Sequence, residues 1–183
     1  MKTTYRLGTL AGLRLTASWT AIISSLILWS LLTEAATLWL HATFWGALVA
    51  GLVTVLLHWA SVLVHQLGHA WAARRTGHPM TAIHFWLVLS ASRYPRDEPE
   101  LPAGVHIRRA LGGPLFSFAL ALVLGALTWI LRPVGGIIWW AALLLFLDNL
   151  LVLTLGALLP LGFTDGSTLL YWARRRQRQT EAA

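Results

Sequence analysis

The stretch SVLVHQLGHAWAARR, Ser61–Arg75, decides how the rest of the chain is read. An apolar run ends in two arginines, and within it His65 and His69 stand four residues apart. A helix advances about 100° per residue, so the two imidazoles share a face one turn apart, the spacing at which two rings can hold one ion. Gln66 follows the first histidine directly. With Arg74 marking a membrane surface, a rise of about 1.5 Å per residue puts His69 about 7 Å and His65 about 13 Å inside it. Ionisable groups at that depth are costly and normally face the interior of a bundle with a partner. Two neutral imidazoles hydrogen-bonded between helices are the alternative to a metal.

The surroundings of this stretch set the fold class. The chain has 183 residues, of which 57% are hydrophobic and 11% charged, too few polar groups to cover a soluble domain of that size. Four windows are long and apolar enough to cross a bilayer, at about 16–40, 44–72, 109–131 and 137–159. They predict an all-α polytopic membrane protein formed by one domain over 1–183. The first window is too long and too late for a signal peptide and is expected to remain in the mature protein.

A formal charge of +7 raises the question of nucleic acid, which the positions of the basic residues answer. Lys2, Arg6 and Arg14 precede the first span. Arg74, Arg75, Arg93, Arg96, Arg108 and Arg109 lie between the second and third, Arg174, Arg175, Arg176 and Arg178 follow the fourth, and only Arg132 falls on the other side. This asymmetry predicts an integral membrane protein with both termini cytoplasmic, and a prokaryotic cytoplasmic membrane is the expected setting. The charge is topological; the expected surroundings are a lipid bilayer and no nucleic acid. Trp19, Trp39, Trp45, Trp139, Trp140 and Trp172 fall near span ends, as interfacial tryptophans do, whereas Trp29 and Trp59 do not. With no cysteine, a metal must be held by histidine and carboxylate.

One long segment, 77–107, spans nothing. Its first half is β-branched and aromatic enough to pair as strands, and its second half is charged and broken by prolines. It cannot lie as irregular chain in lipid, so a small membrane-associated β-hairpin between the second and third spans is expected. The end of the chain, 166–183, reads as a basic tail.

A third ligand has few sources. Of the seven acidic residues only Asp148 and Asp165 lie in or just after the fourth span. Asp165 stands nine residues before Arg174, about 13 Å along a helix and so at a depth close to that of His65. The same TDGSTLL sequence also reads as a helix N-cap. Asp148 lies some 25 Å away along the chain, too far to join the site, and is expected to pair with Asn149 or another helix. His58, about 10 Å below His65, reads as a packed or water-linked histidine.

These residues resemble the site-2 protease family of intramembrane zinc metalloproteases. HQLGHAWAARRTGHP is similar to the family's HExxH helix, RALGGPLFSFALAL to its third core helix, ALLPLGFTDGSTLL to its NxxPxxxxDG motif, and LGTLAGLRLTASW to the segment leading into the first span. The resemblance implies that His65, His69 and Asp165 hold a Zn²⁺ that activates the attacking water. It implies an intramembrane zinc metalloendopeptidase cutting a transmembrane protein substrate on the cytoplasmic side.

Two positions depart from the family pattern: Gln66 replaces the glutamate of HExxH, and Ala157 replaces the asparagine of NxxP. A carboxamide matches a carboxylate in shape but cannot take the proton of the water, a loss of roughly 10² to 10⁴ in rate. An introduced Glu→Gln change and a natural, catalytically silent pseudoprotease that binds membrane-protein helices both fit. RDEPE, with Glu98 and Glu100, reads as a solvated acidic turn, although either of these or His106 could supply the missing carboxylate or base. The stretch MTAIHFWLVLS is expected to pair with an unwound substrate by strand addition through Ile83, Phe85 and Leu87. Oligomeric state and substrate identity are not written in the residues.

Overall fold

The computed structural model describes residues 4–181, with side chains as far as 177; Lys2 and the side chain of Arg178, counted above among the basic residues, lie outside the described part. Two strands, β1 (Thr4–Leu10) and β2 (Leu13–Ser18), lead into helices α1 (Trp19–Leu40) and α2 (Phe44–Arg75). Strands β3 (Ala82–Trp86) and β4 (Leu89–Arg93) follow, then α3 (Ala103–Leu131), α4 (Gly136–Leu147), a π-helical continuation of α4 (Asp148–Gly156), and α5 (Asp165–Glu181). Helices α1, α2, α3 and the continuous α4 with its π segment are each long and apolar enough to cross a membrane. The four expected spans are therefore present, and the expected hairpin is β3–β4.

That hairpin is half of a larger sheet. The N-terminal segment folds as its own hairpin, turning at Ala11 and Gly12, both with positive φ as a two-residue type I′ turn requires. Strand β2 then runs parallel to β3, giving the order β1-β2-β3-β4. Leu13 and Ala17 of β2 and Ile83 and Phe85 of β3 pack in one buried cluster with Val62, Ala70 and Ala73 of α2 and with Met80. The sheet thus lies on the end of α2 that carries the histidines. Among the described residues no strand pairs with the outer edge of β4.

This arrangement corrects the expectation placed on Ile83, Phe85 and Leu87. Ile83 is fully buried and Phe85 nearly so, and β3 is paired on both sides, so neither can receive an added strand. Leu87 sits at the turn, 43% exposed. Alternation in the sequence marks a strand, but which strand is left at the edge depends on a partner 67 residues earlier.

Helices α2 and α3 approach backbone to backbone. A Cβ on Gly68 would stand 2.3 Å from the carbonyl oxygen of Gly112, and a Cβ on Gly112 would stand 2.4 Å from that of Gly68. Small residues allow such contact in a bilayer, where packing and not hydrophobicity holds helices together. Below this crossing, buried Arg109 grips Glu98 through both guanidinium ends at 2.9 and 2.5 Å and donates to the His78 carbonyl at 2.6 Å. Its guanidinium also lies 4.2 Å from the centroid of the Tyr94 ring. The hydrogen bonds from Arg109 hold the Glu98 carboxyl below its ordinary pKa, and burial pushes the Tyr94 hydroxyl up to about 12.

Gly68→Ala or Gly112→Ala should force the two helices apart and cost about 1–3 kcal/mol, read as a lower thermal midpoint in detergent. Gly104→Ala, whose Cβ would meet nothing within 4 Å, serves as the control and should be neutral or slightly stabilising.

Candidate metal centre

The crossing of α2 and α3 delivers the two histidines to the facing surface of α3. His65 Nδ1 lies 2.9 Å from the Ser117 hydroxyl, and His69 Nδ1 lies 2.8 Å from the Arg109 carbonyl. With its proton on Nδ1, toward the Arg109 carbonyl, His69 would leave Nε2 the lone pair a metal ligand needs; the Gly113 amide, 3.3 Å away, faces the same Nδ1. The serine hydroxyl can accept from His65 in the same way. Arg109, Gly113 and Ser117 are spaced four apart on one face of α3, and a Cβ on Gly113 would stand 2.2 Å from His69 Nε2 and 2.5 Å from His65 Nε2. The glycine leaves the room in which the two nitrogens converge.

The third group arrives from the far end of the chain. After the π segment the helix breaks at Pro160, and α5 begins at Asp165. Gly166 lets the start of α5 press against the preceding turn, since a Cβ there would lie 2.0 Å from the Leu158 carbonyl oxygen. Thr164 takes the capping place: its carbonyl accepts from the amides of Ser167 and Thr168, and its hydroxyl accepts from the Leu161 amide at 3.2 Å. The Asp165 carboxylate is thereby free to face the imidazoles, with Oδ2 3.4 Å from His65 Nε2 and 3.3 Å from His69 Nε2.

The three ligand atoms form a nearly equilateral triangle, closed by 3.0 Å between the two Nε2 atoms. Ligands about 2.0–2.1 Å from a tetrahedral zinc stand about 3.3 Å apart, so the triangle fits such an ion within a few tenths of an ångström. His65, His69 and Asp165 form a cluster able to hold a metal ion such as Zn²⁺, and it is the one such group among the described residues.

Gln66 lies beside the cluster, buried, with both ends of its amide engaged by β4. Its nitrogen donates to the Ser90 hydroxyl at 2.9 Å, and its oxygen accepts from the Ser92 hydroxyl at 2.8 Å. Glu98, Glu100 and His106, considered above as substitutes for the missing carboxylate, are committed elsewhere. Glu98 holds Arg109, Glu100 pairs with Arg175, and His106 stacks on Trp172 at 3.9 Å. Asp148 does pair with another helix, but its partner is His58, which is thus an ion-pair member and not a simply packed histidine. Ser90, Ser92, Gly113 and Ser117 were assigned no role from the sequence. The only signal for the last two is their spacing on α3, and nothing local marks the serines.

Comparison with known proteins follows the same lines. No protein-family model matches the sequence. The chain is 33% identical over 167 residues to the candidate zinc metalloprotease Rip3 of two Mycobacterium tuberculosis strains, Erdman and H37Rv; the match takes in 82% of this chain and 40% of the relative, so the chain spans well under half of that protein. Its fold matches that of a site-2 protease from Methanocaldococcus jannaschii with a TM-score of 0.61 at 20% identity, over 92% of this chain and 70% of the other. The chain has the fold of a site-2 protease. Within the site-2 protease pattern Gln66 occupies the position of the catalytic glutamate of HExxH.

Zinc binding needs the ligands and the space between them, not the residue at 66. His65→Ala, Asp165→Ala and Gly113→Ala should each strip zinc from the purified protein, while Gln66→Glu leaves its stoichiometry unchanged. Elemental analysis under chelator-free conditions decides this, and a metal-free parent protein contradicts the site.

Proposed function

We propose that this chain is the metalloendopeptidase framework of an intramembrane protease, acting on transmembrane protein substrates at the cytoplasmic face and limited in turnover by Gln66. The observation that carries the reading is the His65–His69–Asp165 triangle, set in a site-2 protease fold with a carboxamide beside it. A zinc ion held there would act as a Lewis acid and lower the pKa of water at its open position towards 7. The chain's own residues supply the rest. Ser117 and the Arg109 carbonyl orient the imidazoles, Asp165 contributes the negative ligand, and residue 66 stands where a proton must be taken from water and passed to the leaving amine. An amide does neither, and Ala157 offers no polar group for a developing oxyanion.

Substrate is read as entering extended. A peptide bond inside a helix is shielded, and once unwound in the bilayer its backbone groups need partners. The outer edge of β4 is the available partner, because Ser90 and Ser92 of the same strand touch Gln66. A proline at Ala91 on this edge should weaken substrate retention more than one at Arg96 in the following loop. The positive-inside distribution supports cytoplasmic termini.

A second reading is favoured by one observation. The Gln66 amide satisfies both serines as donor and acceptor, a fit that suits a resident glutamine in a silent protein that holds membrane helices. Gln66→Glu separates the two. The latent protease should gain cleavage of a membrane substrate by about 10² to 10⁴ over the parent, lose it to a zinc chelator and regain it with Zn²⁺. Equal cleavage by both forms contradicts the role of residue 66, and silence from both over a panel of substrates supports the binding protein.

A further inference from the structure

A second polar cluster lies deeper in the bundle, apart from the metal ligands. His58, two turns below His65 on α2, uses both ring nitrogens: Nδ1 meets Asp148 Oδ2 at 2.9 Å, and Nε2 meets the Val88 carbonyl at 3.0 Å. Asp148 comes from the π segment, whose wide turns bring Asp148 and Asn149 against α2, Asn149 donating to Ser61 at 2.9 Å. Val88 comes from the β3–β4 turn. Three elements far apart in the chain therefore meet at one imidazole.

The turn has reason to need this anchor. Leu87 and Val88 join the closing pair Trp86 and Leu89, and Leu87 adopts φ 48, a left-handed conformation that a branched residue rarely takes. The Leu87 amide donates to the Thr20 hydroxyl at 3.3 Å. The Val88 carbonyl accepts from His58 and loses that donor if the ring is removed. Since that carbonyl can only accept, Nε2 of His58 carries a proton, and Asp148 holds the ring by its other nitrogen. The same hairpin continues into Ser90 and Ser92, which grip Gln66.

We infer that His58 and Asp148 are a positioning pair that pins the hairpin tip to the bundle and so presents the β4 edge beside the metal cluster. The pair touches none of the metal ligands. Its use for substrate rests on the proposed protease reading; its action on the hairpin does not.

Removing one partner alone would leave a buried polar group uncompensated and disturb the fold, whereas replacing both by apolar groups is often neutral or stabilising. The variant to use is the double change His58→Leu with Asp148→Leu in the full chain, reconstituted in nanodiscs. Its zinc content should match the parent, and its thermal midpoint should fall only slightly, by the loss of the one donor to the Val88 carbonyl. Hydrogen exchange in the 86–93 segment should rise while exchange along α2 and α3 stays constant. Retention of a labelled single-span polyleucine-alanine peptide, carrying a proline near its cytoplasmic end, should fall by about tenfold as the edge loses its preset position. Asp148→Glu, which keeps the carboxylate and His58, should leave both signals close to those of the parent. Unchanged exchange in 86–93 overturns the tether. Raised exchange with undiminished peptide retention overturns the presentation of the edge. A parent that retains no peptide at all counts against the protease reading, and the exchange experiment still decides the tether.

Discussion

The contact between the backbones of α2 and α3 at Gly68 and Gly112 is the constraint on which the metal cluster depends, because it sets how far the imidazoles of one helix lie from the carbonyl and hydroxyl of the other. At this separation Ser117 and the Arg109 carbonyl reach the Nδ1 atoms, and Gly113 leaves the Nε2 atoms their space. A methyl group at any of these glycines meets backbone or imidazole at distances that atoms do not tolerate. The helices are thus held close by the absence of side chains, and the Ser117 hydroxyl and Arg109 carbonyl in the crossing each meet an imidazole. Such use matters in a bilayer, where an unpaired donor or acceptor has no solvent to fall back on.

The carboxylate is delivered by a different device. The π segment widens the fourth span, the helix ends at Pro160, and a short loop turns the chain so that α5 starts at the depth of the histidines. Thr164 and Ser167 satisfy the turn, so Asp165 need not cap its own helix. Gly166 permits the close approach. The Asp-Gly pair is therefore one ligand and one concession of space. The segment between β4 and α3 is tied to α3 by Arg109 with Glu98 and to α5 by Arg175 with Glu100.

Much of this was legible in the sequence, and the physical reason is locality. The spans follow from run length, the His65–His69 face from helical period, and the depth of Asp165 from rise per residue, all properties of a single element. What could not be read joins elements far apart. The parallel pairing of β2 with β3 binds short strands separated by α1 and α2, so the N-terminal hairpin gave no local sign of belonging to the sheet. For that reason Ile83 and Phe85 read as accessible when they are core. His58 and Asp148 are 90 residues apart, and their meeting depends on the π turns, which shift the face that Asp148 presents. The serines that hold Gln66 are likewise on another element, and their chemistry is unremarkable until the fold brings them to it.

The central claim is that two imidazoles and one carboxylate hold zinc here although residue 66 cannot act as a base. X-ray absorption at the zinc edge of the purified parent protein tests it most directly. The spectrum expected is a four-coordinate shell of light atoms at about 2.0–2.1 Å with the outer-ring scattering of two imidazoles. An edge with no imidazole scattering, a six-coordinate oxygen shell, or no zinc in a protein purified without chelators would contradict it.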